Sequence, residues 1–127
     1  HALGELAPDE LARWMARASI YALPARYEPF GLSVLEAALA GCALVLGDVP
    51  TLREVWGDTA HYVPPGDPDA LGAALNRLIR DPVARGSYAA RSRARALGLS
   101  PARMAAAYHA LYREAIARRQ VRRGASA

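Results

Sequence analysis

Residues 19–47 read Ser-Ile-Tyr-Ala-Leu-Pro-Ala-Arg-Tyr-Glu-Pro-Phe-Gly-Leu-Ser-Val-Leu-Glu-Ala-Ala-Leu-Ala-Gly-Cys-Ala-Leu-Val-Leu-Gly, and this stretch decides the fold. Ser19 to Leu23 is a short β-prone run that Pro24 stops, since proline has no N–H to give a ladder. Pro24 to Gly31 reads as a loop. Leu32 to Ala40 turns helical and very apolar, and Gly41 closes it. Ala43-Leu44-Val45-Leu46 is apolar at every position and ends at Gly47. A strand with no polar alternation is covered on both faces, which is the situation of a strand in a parallel sheet.

Outward from this unit the same alternation continues. Ala7-Pro8-Asp9-Glu10 opens a helix with proline in its first turn and two acids at the positive end of its dipole, and Leu11, Trp14, Met15 and Ala18 follow at helical spacing. Downstream, Thr51 to Trp56 is a short helix ended by Gly57, and Ala60 to Val63 is a short strand stopped by Pro64-Pro65-Gly66. Asp67-Pro68, Asp81-Pro82 and Ser100-Pro101 each pair an N-cap side chain with proline at the first helical position, so three helices follow. Leu71, Ala74, Leu75, Leu78 and Ile79 form one apolar face. Met104, Tyr108, Leu111, Tyr112, Ala115 and Ile116 form another, which reads as core. The fold class is therefore α/β, a Rossmann-like doubly wound parallel sheet of few strands with a helix-rich C-terminus. Residues 1–118 form the domain, and 119–127 form a basic tail without expected order. The first strand is left with an open edge, through which the chain is expected to self-associate.

With 127 residues, 53% of them hydrophobic, the chain holds one domain with a real core. The net charge is +4, and every one of the 16 cationic residues is arginine. Without lysine, neither a Walker-type phosphate loop nor a Schiff-base mechanism is available. The arginines are dispersed and not interleaved with aromatics, which excludes a nucleic-acid reader and leaves smaller anions or an anionic membrane surface as partners. The single cysteine, Cys42, rules out an intrachain disulfide and reads as a small core residue. His1, His61 and His109 are isolated, with no paired nucleophile, and no metal-ligand spacing occurs. No Gly-x-Gly-x-x-Gly follows a strand, which disfavours a dinucleotide-binding dehydrogenase. Glu54 reads as a cap or as a partner of Arg53.

The chemistry concentrates in Tyr27-Glu28-Pro29-Phe30-Gly31-Leu32-Ser33-Val34-Leu35-Glu36-Ala37. It follows a strand at its C-terminal end, where open α/β sheets bind ligands. Gly31 allows close backbone approach, and the N–H groups of Leu32 and Ser33 at the helix start favour a phosphate. Glu36 places a carboxylate on an otherwise apolar helix, where it needs a partner or a ligand hydroxyl.

This segment resembles the Glu-x7-Glu motif of retaining glycosyltransferases of the GT-B fold, and most closely the group 1 family of bacterial mannosyl- and glucosyltransferases. Leu3-Gly4, Ile20 to Pro24, Ala43 to Gly47, Arg53-Glu54-Val55 and Val63 to Asp67 fall in that family's order, so the likeness covers residues 3 to 118. The resemblance implies the C-terminal, donor-nucleotide-binding part of a GT-B enzyme that transfers a hexosyl group from a nucleotide-diphosphate sugar, with a UDP, GDP or ADP leaving group. The acceptor would be a sugar or a lipid-linked glycan, with the anomeric configuration retained. It places catalytic Glu28 at the donor sugar, with the backbone of Phe30 and Gly31 facing the same sugar. The N–H groups of Leu32 and Ser33 lie at the pyrophosphate, and Glu36 at the ribose. It implies no metal and no further cofactor. It also implies earlier strands that supply an Arg or Lys for the diphosphate and much of the base pocket, and an N-terminal Rossmann domain that supplies the acceptor site and a catalytic His, so that residues 1–127 alone are inactive. A cytoplasmic location is expected. Arg118, Arg119, Arg122 and Arg123 read first as a solvated tail, with peripheral contact to anionic lipid at the inner membrane face as the alternative. Two alternatives stand beside it: a non-catalytic α/β binding module, and a sugar-nucleotide epimerase of the same architecture.

Overall fold

A computed structural model describes residues 2–124, and the side chains of residues 2–118. Two compact units divide the chain, 1–97 and 98–127. In the first, three parallel strands, β1 (Ile20–Leu23), β2 (Ala43–Gly47) and β3 (His61–Val63), lie in the order β1-β2-β3. Ile20 stands opposite Ala43 and Leu23 opposite Leu46, while Val45 stands opposite His61 and Gly47 opposite Val63. Around them run α1 (Pro8–Arg17), α2 (Leu32–Ala40), α3 (Pro50–Trp56), α4 (Pro68–Arg80) and α5 (Pro82–Leu97), with one turn of 3₁₀ helix at Gly57–Thr59.

The central strand explains the layers. Every residue of β2 is buried, and because successive side chains point to opposite faces, its residues feed two cores. Leu44 and Leu46 pack with Met15 of α1, Val34, Ala37 and Ala38 of α2, and Leu52 and Trp56 of α3. Ala43 and Val45 pack with Val63, with Ala74 and Leu78 of α4, and with Ala84, Tyr88 and Ala89 of α5. The sheet is thus sandwiched between helices on both faces, the doubly wound arrangement that the uninterrupted apolar run requires. Cys42 is buried at the foot of β2. Its Sγ lies 3.4 Å from the carbonyl oxygens of both Met15 and Ala18, and burial pushes its thiol pKa up. On the opposite side of β1 no strand pairs among the described residues, and Ala22 is exposed there.

The three aspartate and serine caps form as the sequence requires. Asp67 accepts from Ala70 N–H at 2.9 Å and Asp81 from Ala84 N–H at 2.9 Å. In the second unit, Ser100 accepts from Arg103 N–H at 3.3 Å and opens α6 (Pro101–Gly124). Two features of α6 differ from the sequence reading. The helix continues through 119–124, where a tail without order is expected; the side chains of 119–124 and the whole of 125–127 lie outside the described residues. The stripe Met104, Tyr108, Leu111, Tyr112 and Ile116, expected as core, is 56–62% exposed. Helical spacing reports which residues share a face and is blind to whether a partner covers it.

Candidate functional site

The site is the junction between β1 and α2. Residues 24–31 leave the C-terminal end of β1, and Gly31, at φ 80° and ψ 62°, turns the chain into the helix. Only glycine takes this left-handed conformation without strain. Space gives the same answer, since a Cβ on Gly31 would sit 2.9 Å from Val34 Cγ2. Having no side chain, Gly31 cannot cap α2, and the helix carries neither a side-chain cap nor an acid in its first turn. Its first N–H groups therefore have no side-chain acceptor at the positive end of the dipole, and such a terminus favours an anion.

Four of the residues singled out by the sequence, Phe30, Gly31, Leu32 and Ser33, lie on this turn with Glu28 just before it. Glu28 is half-buried, and its Oε1 accepts from Gly31 N–H at 2.9 Å and from Phe30 N–H at 3.4 Å. The carboxylate thus folds back over the turn that the backbone of Phe30 and Gly31 presents. Leu32 is 68% exposed. Glu36 stands one helical turn further on, four residues from Leu32, on the exposed stripe that Leu39 and Ala40 complete, while Val34, Ala37 and Ala38 fill the buried stripe. It is exposed and not a buried acid tied to an arginine, so its carboxylate is free to meet a ligand. It edges a depression of about 250 Å³ whose other walls are Pro8, Leu11, Ala12 and Met15 of α1 and Ala40 of α2. The trough is apolar except for this one carboxylate, which stands one turn along α2 from the uncapped terminus.

Several contacts that shape this junction are invisible in the motif itself. The Thr51 hydroxyl, at the start of α3, donates to the Glu28 carbonyl at 2.6 Å. The Tyr21 hydroxyl of β1 donates to Ser33 Oγ at 2.8 Å. Gly47, at the end of β2, lies against the Ala25 backbone so closely that a Cβ there would strike the carbonyl oxygen. The Arg26 guanidinium lies over Gly66, whose φ of 82° is one that glycine adopts without strain. The sequence signal for the two glycines is their position at strand and turn ends, which also suits a simple chain reversal; the two hydroxyls give none.

The neighbouring strand ends carry a charge cluster. Arg53 pairs with Asp48 through both carboxylate oxygens, its Nη2 at 2.8 Å from Oδ2, and its guanidinium lies 4.3 Å from the centre of the Tyr62 ring. The hydrogen bond from Arg53 holds the Asp48 carboxyl below its ordinary range, and burial pushes the Tyr62 phenol up. Glu54 is thus not the partner of Arg53; its carbonyl accepts from Arg95. His61, on β3, sits edge-on to Tyr88 with ring centres 6.0 Å apart, and burial lowers its imidazole pKa. It belongs to the packing of the opposite face. Among the described residues no three His, Cys, Asp or Glu side chains converge as a metal site would need, and no helix is long and apolar enough to cross a membrane.

Comparison with known proteins converges on one family. The family model described as glycosyl transferases group 1 matches residues 1–81. Glycogen synthase of Mycobacterium tuberculosis is 41% identical over 95 residues, covering 72% of this chain and 23% of the relative. The MMP alpha-(1->4)-mannosyltransferase of Mycolicibacterium hassiacum is 35% identical over 122 residues, 93% of this chain and 30% of that protein. Among solved structures, sucrose-phosphate synthase from Thermosynechococcus elongatus superposes with a TM-score of 0.77 at 30% identity, over 91% of this chain and 30% of its own. The chain spans between 23% and 30% of the length of these relatives.

Proposed function

Because the chain belongs to the group 1 glycosyl transferases, we propose that it is the donor-nucleotide half of a retaining hexosyltransferase. The reading rests above all on the β1–α2 junction, where an uncapped helix terminus follows the Glu28 carboxylate and Glu36 stands exposed one turn further along the helix. The donor is a nucleotide-diphosphate hexose. Its ribose lies against Glu36, its pyrophosphate at the N–H groups of Leu32 and Ser33, and its sugar beside Glu28 and the turn of Phe30 and Gly31.

The chemistry follows from where charge develops. As the bond between the anomeric carbon and the phosphate oxygen breaks, the leaving diphosphate gains negative charge. Fixed N–H dipoles aimed at it lower the barrier more than they favour the ground state. This electrostatic role is the one a divalent cation fills elsewhere, so the donor is held here without a metal. Glu28 holds the sugar hydroxyls and orients the reacting face. A second Rossmann domain holds the acceptor, a sugar or a lipid-linked glycan, and an Arg or Lys on further strands faces the diphosphate. A polypeptide carrying this chain and that domain is expected to release a nucleoside diphosphate from UDP-, GDP- or ADP-hexose only when acceptor is present. Proton NMR of the product should show the anomeric configuration of the donor; an inverted product would contradict the reading.

A further inference from the structure

The turn that carries the donor contacts does not hold itself in place. Between β1 and α2 the chain contains two prolines, Pro24 and Pro29, which give no N–H. The Glu28 carboxylate closes the turn only locally, onto Phe30 and Gly31. Two side-chain hydroxyls outside this turn tie it to the rest of the fold. Thr51 reaches from the first turn of α3 to the Glu28 carbonyl, between residues 23 apart in sequence. Tyr21 reaches from β1 to Ser33 Oγ across a separation of 12. Both bonds are partly buried, so neither is freely replaced by water.

From this geometry we propose that Thr51 and Tyr21 are positioning residues for the donor site, bracing its two ends. Thr51 fixes Glu28, and Tyr21 fixes the start of α2. The inference rests on the donor-site reading of the β1–α2 junction. Its physical content is preorganisation. N–H groups aimed at a diphosphate stabilise it most when the turn need not be ordered on binding, because a loose turn would have to give up conformational entropy first. Each brace fixes a different atom: removing the Thr51 hydroxyl leaves the Glu28 carbonyl unpaired, and removing the Tyr21 hydroxyl frees the Ser33 side chain. Neither residue touches the ligand itself, so each acts through its partner.

The test is a nitrogen-15 NMR titration of the polypeptide that carries both halves with UDP, GDP and ADP, run where all variants are folded. The wild type should shift the amides of residues 31–34. Thr51→Val, nearly isosteric, and Tyr21→Phe should each raise the nucleotide Kd roughly three- to tenfold, the worth of one hydrogen bond. Both should speed amide exchange at Gly31, and Thr51→Ser should return the Kd to within about twofold of wild type. Unchanged Kd values in Thr51→Val and Tyr21→Phe would overturn the proposal even if both variants melt earlier, as would a Thr51→Ser variant as weak as Thr51→Val. A wild type that responds to no nucleotide would overturn the donor-site reading and the braces with it.

Discussion

Gly47→Ala is expected to destabilise the protein by about 3 kcal/mol, at the top of the range for overpacking a close contact. The new Cβ would meet only backbone, the Ala25 carbonyl oxygen first, then its nitrogen at 3.0 Å and its carbonyl carbon at 3.2 Å. A flexible side chain could swing aside, but a peptide cannot move without carrying residues 24–31 with it. The same substitution therefore displaces the turn that holds Glu28 and Gly31. Gly72→Ala is the contrasting control. Gly72 lies inside α4, and a Cβ there meets nothing within 4 Å, so alanine should gain about 0.5–1 kcal/mol from helix propensity. Urea denaturation of both variants reads the difference; equal stabilities would refute the close approach of β2 to the loop 24–31.

The second large effect concerns Glu28. Its side chain accepts the Gly31 and Phe30 N–H groups, and in the proposed function it also supplies a negative charge beside the donor sugar; substitution can separate the two. Glu28→Gln retains an oxygen that can accept from Gly31, so the turn keeps its shape and stability should stay within about 0.5 kcal/mol. Transfer activity in the polypeptide that includes the acceptor half should nonetheless fall by on the order of 10²-fold, the scale of losing one preorganised electrostatic contact. Glu28→Ala should lose activity and also stability, by about 1–2 kcal/mol, because Gly31 N–H loses its acceptor. Full activity in Glu28→Gln would show that the carboxylate serves only to shape the loop.

What the sequence discloses and what it withholds follow from how local each interaction is. The unbroken apolar run 43–46 specifies a strand buried on both sides, and β2 is such a strand. Asp67, Asp81 and Ser100 announce helices because a cap bonds to an N–H three residues on. Glu28, Gly31 and Glu36 are legible because a turn and a helix fix their relation within a few residues. The braces are not local. Nothing in Pro50-Thr51-Leu52 distinguishes a hydroxyl that reaches Glu28 from one that faces water. Arg53 reads as a partner for its neighbour Glu54, yet adjacent residues on a helix do not face each other, and it pairs with Asp48 in the preceding loop. The stripe on α6 shows the converse limit, since its spacing is that of a packed helix while its residues are exposed.

The proposed donor-nucleotide role of this domain stands or falls with Glu36, whose carboxylate is exposed. Calorimetric titration of UDP, GDP and ADP into the polypeptide that carries both halves, with and without Glu36→Ala, measures that role directly. One nucleoside diphosphate should bind in preference to the other two, and Glu36→Ala should weaken it about tenfold or more, the worth of hydrogen bonds from ribose hydroxyls to a charged acceptor. Binding of all three nucleotides alike, untouched by Glu36→Ala, would contradict the assignment.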